Sequence, residues 1–284
     1  MTIVVKTIKE VREIVEANRN KGKSVGFIPT MGSLHSGHLS LLRAAKRQTS
    51  FVVVSIFVNP YQFGPKEDYK MYPRDFKKDE SLLLSEGVDL IFHPKREALY
   101  SKDFSLYVEE VSLSKNLCGR SRLGHFKGVC TVVAKLFNIV TPDIAYFGRK
   151  DYQQAEIIKR MVRDLNYPIK IRLLPIVREK NRLAISSRNK YLNEREKQDA
   201  LCLYHALKAA RLRIKSGQSD SKRLISYIYK FIKKEVPTAV IDYISVVDPY
   251  TLEDVNRIEK RVLIAFAVYI GKTRLIDNMV VSKG

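Results

Sequence analysis

The chain has 284 residues, of which 45% are apolar and 29% charged, and the formal net charge is +21. These proportions are typical of a folded globular protein and argue against a disordered or fibrous one. No apolar run approaches the roughly 20 residues that span a bilayer. Residues 1–6 lack the basic end and long apolar stretch of a signal peptide. We therefore expect a cytoplasmic protein with no membrane partner.

The excess of 51 Lys and Arg over 30 Asp and Glu has two interpretations. One is nucleic-acid binding. The other is a Lys-rich, solvated surface around an anion-binding site. The basic residues are spread along the chain, since residues 193–235 hold only 11 of them beside 5 acidic ones. No zinc-finger spacing and no aromatic RNA-binding motif occurs in the sequence, so we favour the second interpretation and expect no specific nucleic-acid partner.

The three cysteines, Cys118, Cys130 and Cys202, are odd in number and widely spaced. Such a set predicts reduced thiols rather than a disulfide framework or a metal site. Reduced thiols agree with the expected cytoplasmic location.

The first half of the chain alternates short β-rich runs with helical stretches, which is typical of a parallel sheet with crossover helices. The run FVVVSIF at 51–57 is the clearest strand, because it is continuously apolar like the central strands of parallel sheets. The further predicted strands are 24–28, 89–92, 144–147 and 169–174. One predicted helix ends near residue 46, and the other predicted helices cover 76–85, 128–140 and 151–165.

The pattern changes after residue 174. Two long basic helices are predicted at 193–216 and 221–235, followed by strands at 241–247, 262–269 and 274–280. We therefore predict an α/β fold with a Rossmann-like parallel-sheet domain at 1–175. A smaller α+β domain is predicted at 176–284.

The string PTMGSLHSGH, residues 29–38, follows the first predicted strand and leads into a helix. A helix N-terminus offers unpaired N–H groups and the positive end of the helix dipole, and both favour phosphate. His35 and His38 are three residues apart and can face the same side, and Gly37 allows close approach to the backbone. The pattern favours nucleotide binding. The alternative is an ordinary capped helix whose histidines are hydrogen-bonded locally.

The His-x-Gly-His element resembles the signature of the HIGH-type nucleotidyltransferases, and the longer string is similar to that of the pantothenate synthetase (pantoate–β-alanine ligase) family. The resemblance implies that His38, with His35, acts on the charge developing on the phosphates, His38 being the proton donor. It also implies ATP contacts from a continuous run of residues: Met31, Gly32, Ser33, Leu34, His35, Ser36, Gly37 and His38.

The second motif, FVNPYQF at 57–63, follows the predicted strand 51–57. Asn59 and Gln62 therefore lie at the carboxyl end of a strand, where open α/β sheets bind ligands. An isolated Asn-Pro pair usually marks only a turn, but the block is similar to the family's pantoate-binding segment. The resemblance implies that Asn59 and Gln62 bind substrate, with Gln62 contacting pantoate and β-alanine. A glutamine amide suits a hydroxy acid because it both donates and accepts hydrogen bonds.

The third motif, FGRKDYQQ at 147–154, again runs from a strand into a helix. Lys150 can neutralise phosphate, while Asp151 can either hold a ribose hydroxyl or cap the helix. The resemblance implies ATP contacts at Gly148, Arg149, Lys150 and Asp151 and a pantoate contact at Gln154. Arg149 replaces the Glu of many relatives, which we expect to change the charge beside the site rather than the chemistry.

The fourth motif, AISSRN at 184–189, combines two hydroxyls with a guanidinium and predicts a mobile phosphate-binding loop. It resembles the second nucleotidyltransferase signature, the counterpart of the KMSKS loop. The resemblance implies ATP contacts at Val177, Ile185, Ser186, Ser187 and Arg188, with Lys150 and Arg188 among the catalytic groups.

Asn181-Arg182 replaces the family's usual Asp-Gly turn just before this motif. Asn tolerates a left-handed backbone, but Arg does not, so the sequence leaves the geometry of this turn open. A weaker fifth match, RLGHF at 122–126, suggests that Arg122 faces pantoate. His125 is equally consistent with a buried structural residue and with a functional one.

The resemblance implies two half-reactions, adenylation of pantoate by ATP and transfer of the pantoyl group to β-alanine with release of AMP. It also implies that the domain at 1–175 binds the nucleotide and pantoate and that the domain at 176–284 covers the site. Mg²⁺ is expected to accompany ATP because it neutralises the polyphosphate. Asp79 is a candidate ligand, but an acidic residue on a charged helix is expected to be solvated, so no metal ligand is assigned. The family also implies a homodimer. The alternatives are a related nucleotidyltransferase that activates another small acid and a nucleic-acid-binding protein.

Overall fold

The computed structural model describes residues 2–65 and 67–283, which form two compact units. The first contains the chain through Glu110 together with Arg122–Arg149 and Gln154–Pro175. The second contains Val111–Ser121, Lys150–Gln153 and the chain from Ile176. The longest segment of the second unit begins at Ile176, and the two short segments that join it have no signal in the sequence. The predicted division into domains at 1–175 and 176–284 stays a prediction. The roles assigned to the two domains stay predictions.

The first unit is built on a six-stranded sheet in which all neighbouring strands are parallel, in the order β1-β4-β3-β2-β5-β6. Its strands are β1 (Ile3–Val5), β2 (Val25–Thr30), β3 (Phe51–Ile56), β4 (Leu90–Phe92), β5 (Ile144–Gly148) and β6 (Lys170–Leu174). Every residue of β3 is buried, as expected for an apolar strand with parallel neighbours on both edges.

The helices of the described ranges are numbered in chain order. They are α1 (Ile8–Arg19), α2 (Ser36–Gln48), α3 (Phe76–Ser85), α4 (Arg96–Leu99), α5 (Cys118–Ser121), α6 (His125–Val140), α7 (Tyr152–Asp164), α8 (Glu194–Asp199), α9 (Leu201–Lys215) and α10 (Ser221–Glu235). Short 3₁₀ helices cover Pro60–Gln62, Leu113–Lys115, Arg149–Asp151 and Ser187–Tyr191.

The strand order places a topological switch point between β2 and β5. From β2 the chain proceeds through β3 to β4 on one side, and β5 and β6 are added on the other side of β2. In open α/β sheets, ligands bind outside the carboxyl ends of the strands at such a point. The first motif begins at the carboxyl end of β2 and the third at the carboxyl end of β5, the two strands that flank this point.

The second unit contains an antiparallel sheet, β7 (Val240–Val247), β8 (Arg261–Ile270) and β9 (Thr273–Ser282). Helices α9 and α10 bury apolar side chains such as Ile214, Leu224 and Ile228 in one core with Phe266 of β8. The predicted fold is confirmed: an α/β unit with a Rossmann-like parallel sheet accompanies an α+β unit.

One predicted element is corrected, and the first two elements were not predicted. The helix predicted at 193–216 is interrupted at Ala200, where the Leu203 N–H bonds to the Ala200 carbonyl in a tighter 3₁₀-type turn, so that α8 and α9 are separate. The first strand and helix, β1 and α1, were not predicted. Their signal is a capping box in which Thr7 accepts from the Glu10 N–H and the Glu10 carboxylate accepts from the Thr7 N–H.

None of the helices within residues 2–65 and 67–283 has the length and apolar character needed to cross a membrane. The three cysteines are free, in agreement with the predicted reduced thiols, and all three are buried.

Candidate active site

The first motif turns sharply between β2 and α2. Gly32 and Ser33 both have left-handed backbones, with φ of 75° and 50°. Gly32 adopts this conformation without steric cost, whereas Ser33 is one of the rarer residues that do so with a side chain. Leu34 is buried, and α2 begins at Ser36 after the cap residue His35.

The two histidines cap α2 reciprocally. His35 Nδ1 accepts from the Gly37 N–H at 3.2 Å, and His38 Nδ1 accepts from the His35 N–H at 3.3 Å. A nitrogen that accepts a hydrogen bond carries no proton, so each neutral ring has its proton on Nε2. The local capping interpretation is therefore correct for Nδ1. It makes Nε2–H of each ring the group from which a phosphate oxygen would accept.

Gly37 has a more local function than the sequence indicated. A Cβ added there would lie 2.9 Å from Cε1 and Nδ1 of His35. Gly37 therefore makes room for the His35 ring, whose centroid lies 4.1 Å from that of His38. The glycine is required by the capping geometry before any ligand is considered.

Asp79 on α3 supports the same turn, which corrects the expectation that it is solvated. Its side chain is only 3% exposed, and its two oxygens accept from the Ser33 and Leu34 N–H groups at 2.7 Å each. Hydrogen bonds to a carboxylate are stronger than those between neutral groups. Asp79 thus holds the turn that precedes α2.

The second motif forms the 3₁₀ helix Pro60–Gln62 after β3. Gln62 is buried, and its Nε2 donates to Sδ of Met31, 2.9 Å away. Asn59 is also buried and donates from Nδ2 to Gln62 Oε1 at 3.2 Å. The structure thus brings Met31 of the first motif to the Gln62 amide of the second.

Arg122 and His125 support Gln62 from the backbone side. His125 Nδ1 donates to the Gln62 carbonyl at 2.7 Å, and Arg122 donates to His125 Nε2 at 2.9 Å. The Arg122 guanidinium also donates to both carboxylate oxygens of Glu67, at 2.7 and 2.6 Å. His125 is therefore a buried structural residue, while a pantoate contact by Arg122 stays a prediction.

The pKa of Glu67 reflects this pairing. Burial raises the pKa of the Glu67 carboxyl, but the hydrogen bonds and charge of Arg122 outweigh burial and leave it below its ordinary value. Glu67 is therefore ionised when it holds Arg122.

The third motif is divided between the two units. Gly148 ends β5 in the first unit, and a Cβ added there would meet no atom within 4 Å, so its backbone is open to close approach. Arg149 is exposed, in agreement with an effect on surface charge. In the second unit, Lys150 Nζ lies 3.8 Å from Asp151 Oδ1. Asp151 is half exposed.

The two glutamines that follow differ in what they contact. Gln153 is buried; its Oε1 accepts from the Cys118 N–H, and its Nε2 donates to the Leu113 and Asn116 carbonyls. Its amide thus anchors the segment 111–121 within the second unit. Gln154 is half-buried on α7 in the first unit. The substrate contact therefore stays assigned to Gln154.

The fourth motif follows a hairpin rather than lying in an irregular loop. The Ile185 N–H bonds to the Val177 carbonyl, and the Glu179 N–H bonds to the Leu183 carbonyl. Arg182 takes the left-handed conformation with φ of 82°, the position where the family's turn has Gly. The unusual Asn181-Arg182 pair therefore keeps the turn, at the cost of a strained backbone.

Ser186 caps the 3₁₀ helix Ser187–Tyr191, accepting from the Arg188 N–H at 3.3 Å. Ser187 and Arg188 are half-buried in this helix. The Ser187 hydroxyl and the Arg188 guanidinium are thus carried by a short helix that Ser186 caps. The mobility and the phosphate binding of this motif stay predictions.

Sequence reasoning missed a pair of β9 residues that contact the hairpin before the fourth motif and the third motif within the second unit. Asp277 is 3% exposed and accepts from both terminal nitrogens of Arg178, at 2.7 and 2.8 Å, at the base of the hairpin. The next residue, Asn278, donates to the Lys150 carbonyl at 2.8 Å. The signal in the sequence is a polar pair between the apolar runs 275–276 and 279–281 of this strand.

Comparison with known proteins identifies the family. The model of the family described as pantoate–β-alanine ligase matches residues 3–280. The chain belongs to the pantoate–β-alanine ligase family.

Individual members of this ligase family are similar along nearly the whole chain. A pantothenate synthetase of Thermotoga petrophila is 53% identical over 277 residues, which cover 98% of this chain and 99% of that protein. The crystal structure of a pantothenate synthetase from Thermus thermophilus superposes with a TM-score of 0.92 at 43% identity, covering 98% of this chain and 99% of that one.

A pantoate–β-alanine ligase from Francisella tularensis, solved in complex with β-γ ATP and β-alanine, gives a TM-score of 0.79 at 36% identity. The match covers 99% of this chain and 98% of that one. Membership of the family makes the protein a ligase. The roles of individual residues rest on the geometry above and are proposals.

Proposed function

We propose that the protein condenses (R)-pantoate with β-alanine to pantothenate, using ATP and releasing AMP and pyrophosphate. This proposal rests on the match of the family model to residues 3–280. The geometry supports it through the histidine cap of α2, which follows β2 at the switch point of the parallel sheet. There, the Nε2–H groups of the two rings would donate to a polyphosphate.

In the first half-reaction, a carboxylate oxygen of pantoate attacks the α-phosphorus of ATP. The new C–O–P linkage forms as the bond from the α-phosphorus to the bridging oxygen breaks, and pyrophosphate leaves with the electron pair. We assign His38, with His35, to the charge that develops on the phosphates, and Lys150, Ser186, Ser187 and Arg188 to holding them. Positioning and charge stabilisation dominate such a reaction.

In the second half-reaction, the β-alanine amine attacks the activated carbonyl carbon of pantoyl adenylate. A C–N bond forms, the C–O bond to the phosphate breaks, AMP leaves, and the amine loses a proton. We assign Gln62, Gln154, Asn59 and Arg122 to binding the pantoyl group. The remaining ATP contacts are assigned to residues 31–37, Gly148, Arg149, Asp151, Val177 and Ile185.

Mg²⁺ enters this scheme with ATP as a metal–nucleotide substrate, where it neutralises part of the polyphosphate charge. Within residues 2–65 and 67–283, no group of three His, Cys, Asp or Glu side chains has an arrangement suited to a metal ion. Asp79 already accepts two backbone hydrogen bonds. The proposal therefore assigns no protein ligand to Mg²⁺.

The proposal also includes a homodimer acting in the cytoplasm, where ATP is available. Within each chain, residues 1–175 are proposed to supply the nucleotide and pantoate site, and residues 176–284 to complete that site. Sedimentation equilibrium over a range of concentrations tests the dimer, and a mass of one chain, 32.7 kDa, at all concentrations contradicts it.

The deciding experiment measures AMP release with ATP, Mg²⁺, pantoate and β-alanine, omitting each in turn. We expect AMP only when all four are present. Equal AMP release without pantoate contradicts the proposed substrate. Full activity with another small hydroxy acid in place of pantoate would instead indicate a related ligase.

The order of the two half-reactions is tested by isotope exchange. Enzyme with ATP, Mg²⁺ and pantoate alone is expected to exchange labelled pyrophosphate into ATP, because the amine enters only after the anhydride exists. Arg188→Ala is expected to suppress exchange and overall synthesis together. If exchange required β-alanine and rapid quenching found no pantoyl adenylate, the two-step order would be wrong.

A further inference from the structure

We propose that Tyr100 is a positioning residue that orients the Gln62 carboxamide, so that its Nε2 group faces the acyl substrate and its oxygen does not. The proposal deepens the proposed function, since it rests on the assignment of Gln62 to pantoate. It adds a residue outside the four motifs, 38 positions along the chain from Gln62, and it assigns a direction to the Gln62 hydrogen bonds.

The orientation begins with Asn59. Its Nδ2 donates to the Gly128 carbonyl at 3.0 Å, and this carbonyl can only accept. Its Oδ1 accepts from the Tyr100 hydroxyl at 3.0 Å and from the Tyr61 N–H at 3.4 Å. The partners on both sides therefore agree on which end of the Asn59 amide is oxygen and which is nitrogen.

Asn59 then determines the orientation of Gln62. Because Asn59 presents Nδ2 to Gln62 at 3.2 Å, the atom of Gln62 that faces it must be Oε1, an acceptor. Gln62 Nε2 consequently points the other way, where it donates to Met31 Sδ. A thioether sulfur is a weak acceptor, so a hydroxyl or carboxylate oxygen of pantoate replaces it with a net gain in hydrogen bonding.

Tyr100 supplies the closer of the two donors to Asn59 Oδ1. Its side chain is 3% exposed, and its ring packs edge-on against Tyr61 with centroids 4.7 Å apart. Burial raises the pKa of Tyr100 well above its ordinary value, with smaller contributions from Tyr61 and Tyr107. The hydroxyl therefore stays protonated, and remains a donor, at any pH at which the protein works.

Without this hydroxyl, the buried Asn59 oxygen keeps only the longer bond from the Tyr61 N–H. A buried acceptor that loses its partner is unfavourable, so the Asn59 amide is held less firmly in the orientation that presents Nδ2 to Gln62. Gln62 Oε1 then has a less well-positioned donor, and the Gln62 Nε2 group is directed less firmly at the substrate. The expected defect is therefore specific to pantoate binding.

The experiment compares Tyr100→Phe with Tyr146→Phe as a matched control. Tyr146 is equally buried, and its hydroxyl lies 3.4 Å from Gln48 Oε1, with no connection to Gln62. We expect Tyr100→Phe to raise the KM for pantoate about 3- to 10-fold, the effect of one neutral hydrogen bond. The KM for ATP should be unchanged, and Tyr146→Phe should leave both values unchanged.

A double mutant separates positioning from a general structural role. In a Gln62→Ala background, Tyr100→Phe is expected to add nothing to the pantoate defect, because there is no amide left to orient. Gln62→Glu is expected to bind pantoate more weakly than Gln62→Ala, because it replaces the donor by a carboxylate oxygen. A Tyr100→Phe effect of equal size with and without Gln62 overturns the proposal, as does lost stability with an unaltered pantoate KM.

A measurement without substrate distinguishes this inference from the proposed function. The ¹⁵N–¹H signal of the Gln62 side-chain amide, identified by its loss in Gln62→Ala, is expected to shift in Tyr100→Phe and not in Tyr146→Phe. An unshifted signal overturns the inference whatever the activity. A shifted signal in a protein without pantoate-dependent AMP release supports the positioning function of Tyr100 and contradicts the assignment of pantoate as the substrate.

Discussion

The two histidines at the start of α2 use one ring nitrogen for structure and carry the proton on the other. Nδ1 of His35 and Nδ1 of His38 each accept from a backbone N–H, which places the proton of each neutral ring on Nε2. The same hydrogen bonds orient the rings side by side at the end of β2. A structural function and a chemical one are therefore compatible in the same residues, and kinetics can distinguish them.

His38→Ala is expected to lower turnover about 10²–10³-fold, the usual loss on removal of one donor to developing charge. The exposed His205 on α9 provides the control, since His205→Ala removes an imidazole away from the motifs. Steady-state kinetics on folded protein measure both. More than about half the activity retained in His38→Ala would mean that the cap of α2 is its whole function.

Arg182→Gly is expected to stabilise the protein. A left-handed backbone costs a residue with a Cβ about 1–2 kcal/mol relative to Gly, and part of this gain is offset by the greater freedom of Gly in the unfolded chain. The unfolding midpoint should rise by about 1–3 °C. Arg182→Ala keeps the Cβ and is expected to give no such gain in a calorimetric scan.

An equal gain from both Arg182 variants would mean that the exposed side chain, and not the backbone, is unfavourable. The turn itself is closed by the Arg182 N–H, which bonds to the Glu179 carbonyl at 2.9 Å. This bond does not depend on the side chain, so both variants retain it.

Among the elements of the site, the 3₁₀ helix Pro60–Gln62 depends on its close approach to α6. A Cβ on Gly128 of α6 would lie 2.1 Å from the Tyr61 carbonyl oxygen and 2.7 Å from the Gln62 nitrogen. These are backbone atoms, so the two elements could not both stay in place. Gly128 thus sets the distance at which α6 supports the second motif.

Gly128→Ala is expected to destabilise the protein by about 1–3 kcal/mol through overpacking and to raise the KM for pantoate, because Gln62 is displaced. Gly64→Ala is the matched control, since a Cβ there would meet atoms only at 3.7 Å and beyond. Urea unfolding and pantoate kinetics measure both variants. A stable Gly128→Ala enzyme with an ordinary pantoate KM would contradict the packing argument.

The pair Glu67 and Arg122 predicts how the segment after the second motif responds to acid. The pKa of Glu67 is lowered from 4.5 in the folded protein, because Arg122 outweighs burial. Its contribution to stability is therefore present above about pH 4.5 and is lost as the pH falls through the lower folded-state value.

Glu67→Gln is expected to be less stable than the wild type at pH 7, with the difference shrinking below pH 4.5 in urea titrations. Glu13→Gln is the control, because Glu13 is an exposed partner of Lys9 and such pairs contribute little. If the difference in the free energy of unfolding between Glu67→Gln and the wild type were constant with pH, the charge of Glu67 would not be what stabilises the protein.

For the whole molecule, the net charge of +21 is a property of a dispersed surface. Exposed basic side chains line α9 and α10, as at Arg211, Lys215 and Lys222, while the opposite faces of these helices are buried in the core. A basic surface that has no element to contact the base edges binds nucleic acid through the phosphates alone.

We expect the protein to bind duplex DNA no more tightly than about 10⁻⁵ M at about 0.15 M salt, with affinity falling steeply as salt rises. Fluorescence anisotropy with several duplexes of equal length and unrelated sequence tests both points. Submicromolar binding to one sequence and not to the others would revive the nucleic-acid interpretation of the charge.

Much of the fold could be predicted because its signals are local. The apolar run of β3 and the boundaries of α3 and α10 follow from composition, spacing and caps within each segment. The break at Ala200 could not be seen, because the residues on both sides continue a helical pattern and the interruption is a change of hydrogen bonding within the fold. The short segments that join the second unit could not be seen either, since Gln153 anchors one of them from 35 residues away.

The sequence by itself determined the family, the order of the motifs and the chemical groups available, because these depend on side-chain identity and on spacing along the chain. Only the tertiary structure decided how those groups are used. It made Asp79 a support for a turn 45 residues earlier, and it selected Nδ1 of each histidine for capping. It also gave the Gln62 amide its direction through Asn59 and Tyr100. Hydrogen bonds have direction and short range, so their partners depend on which distant residues the fold brings within about 3 Å, and periodicity and spacing carry no record of that.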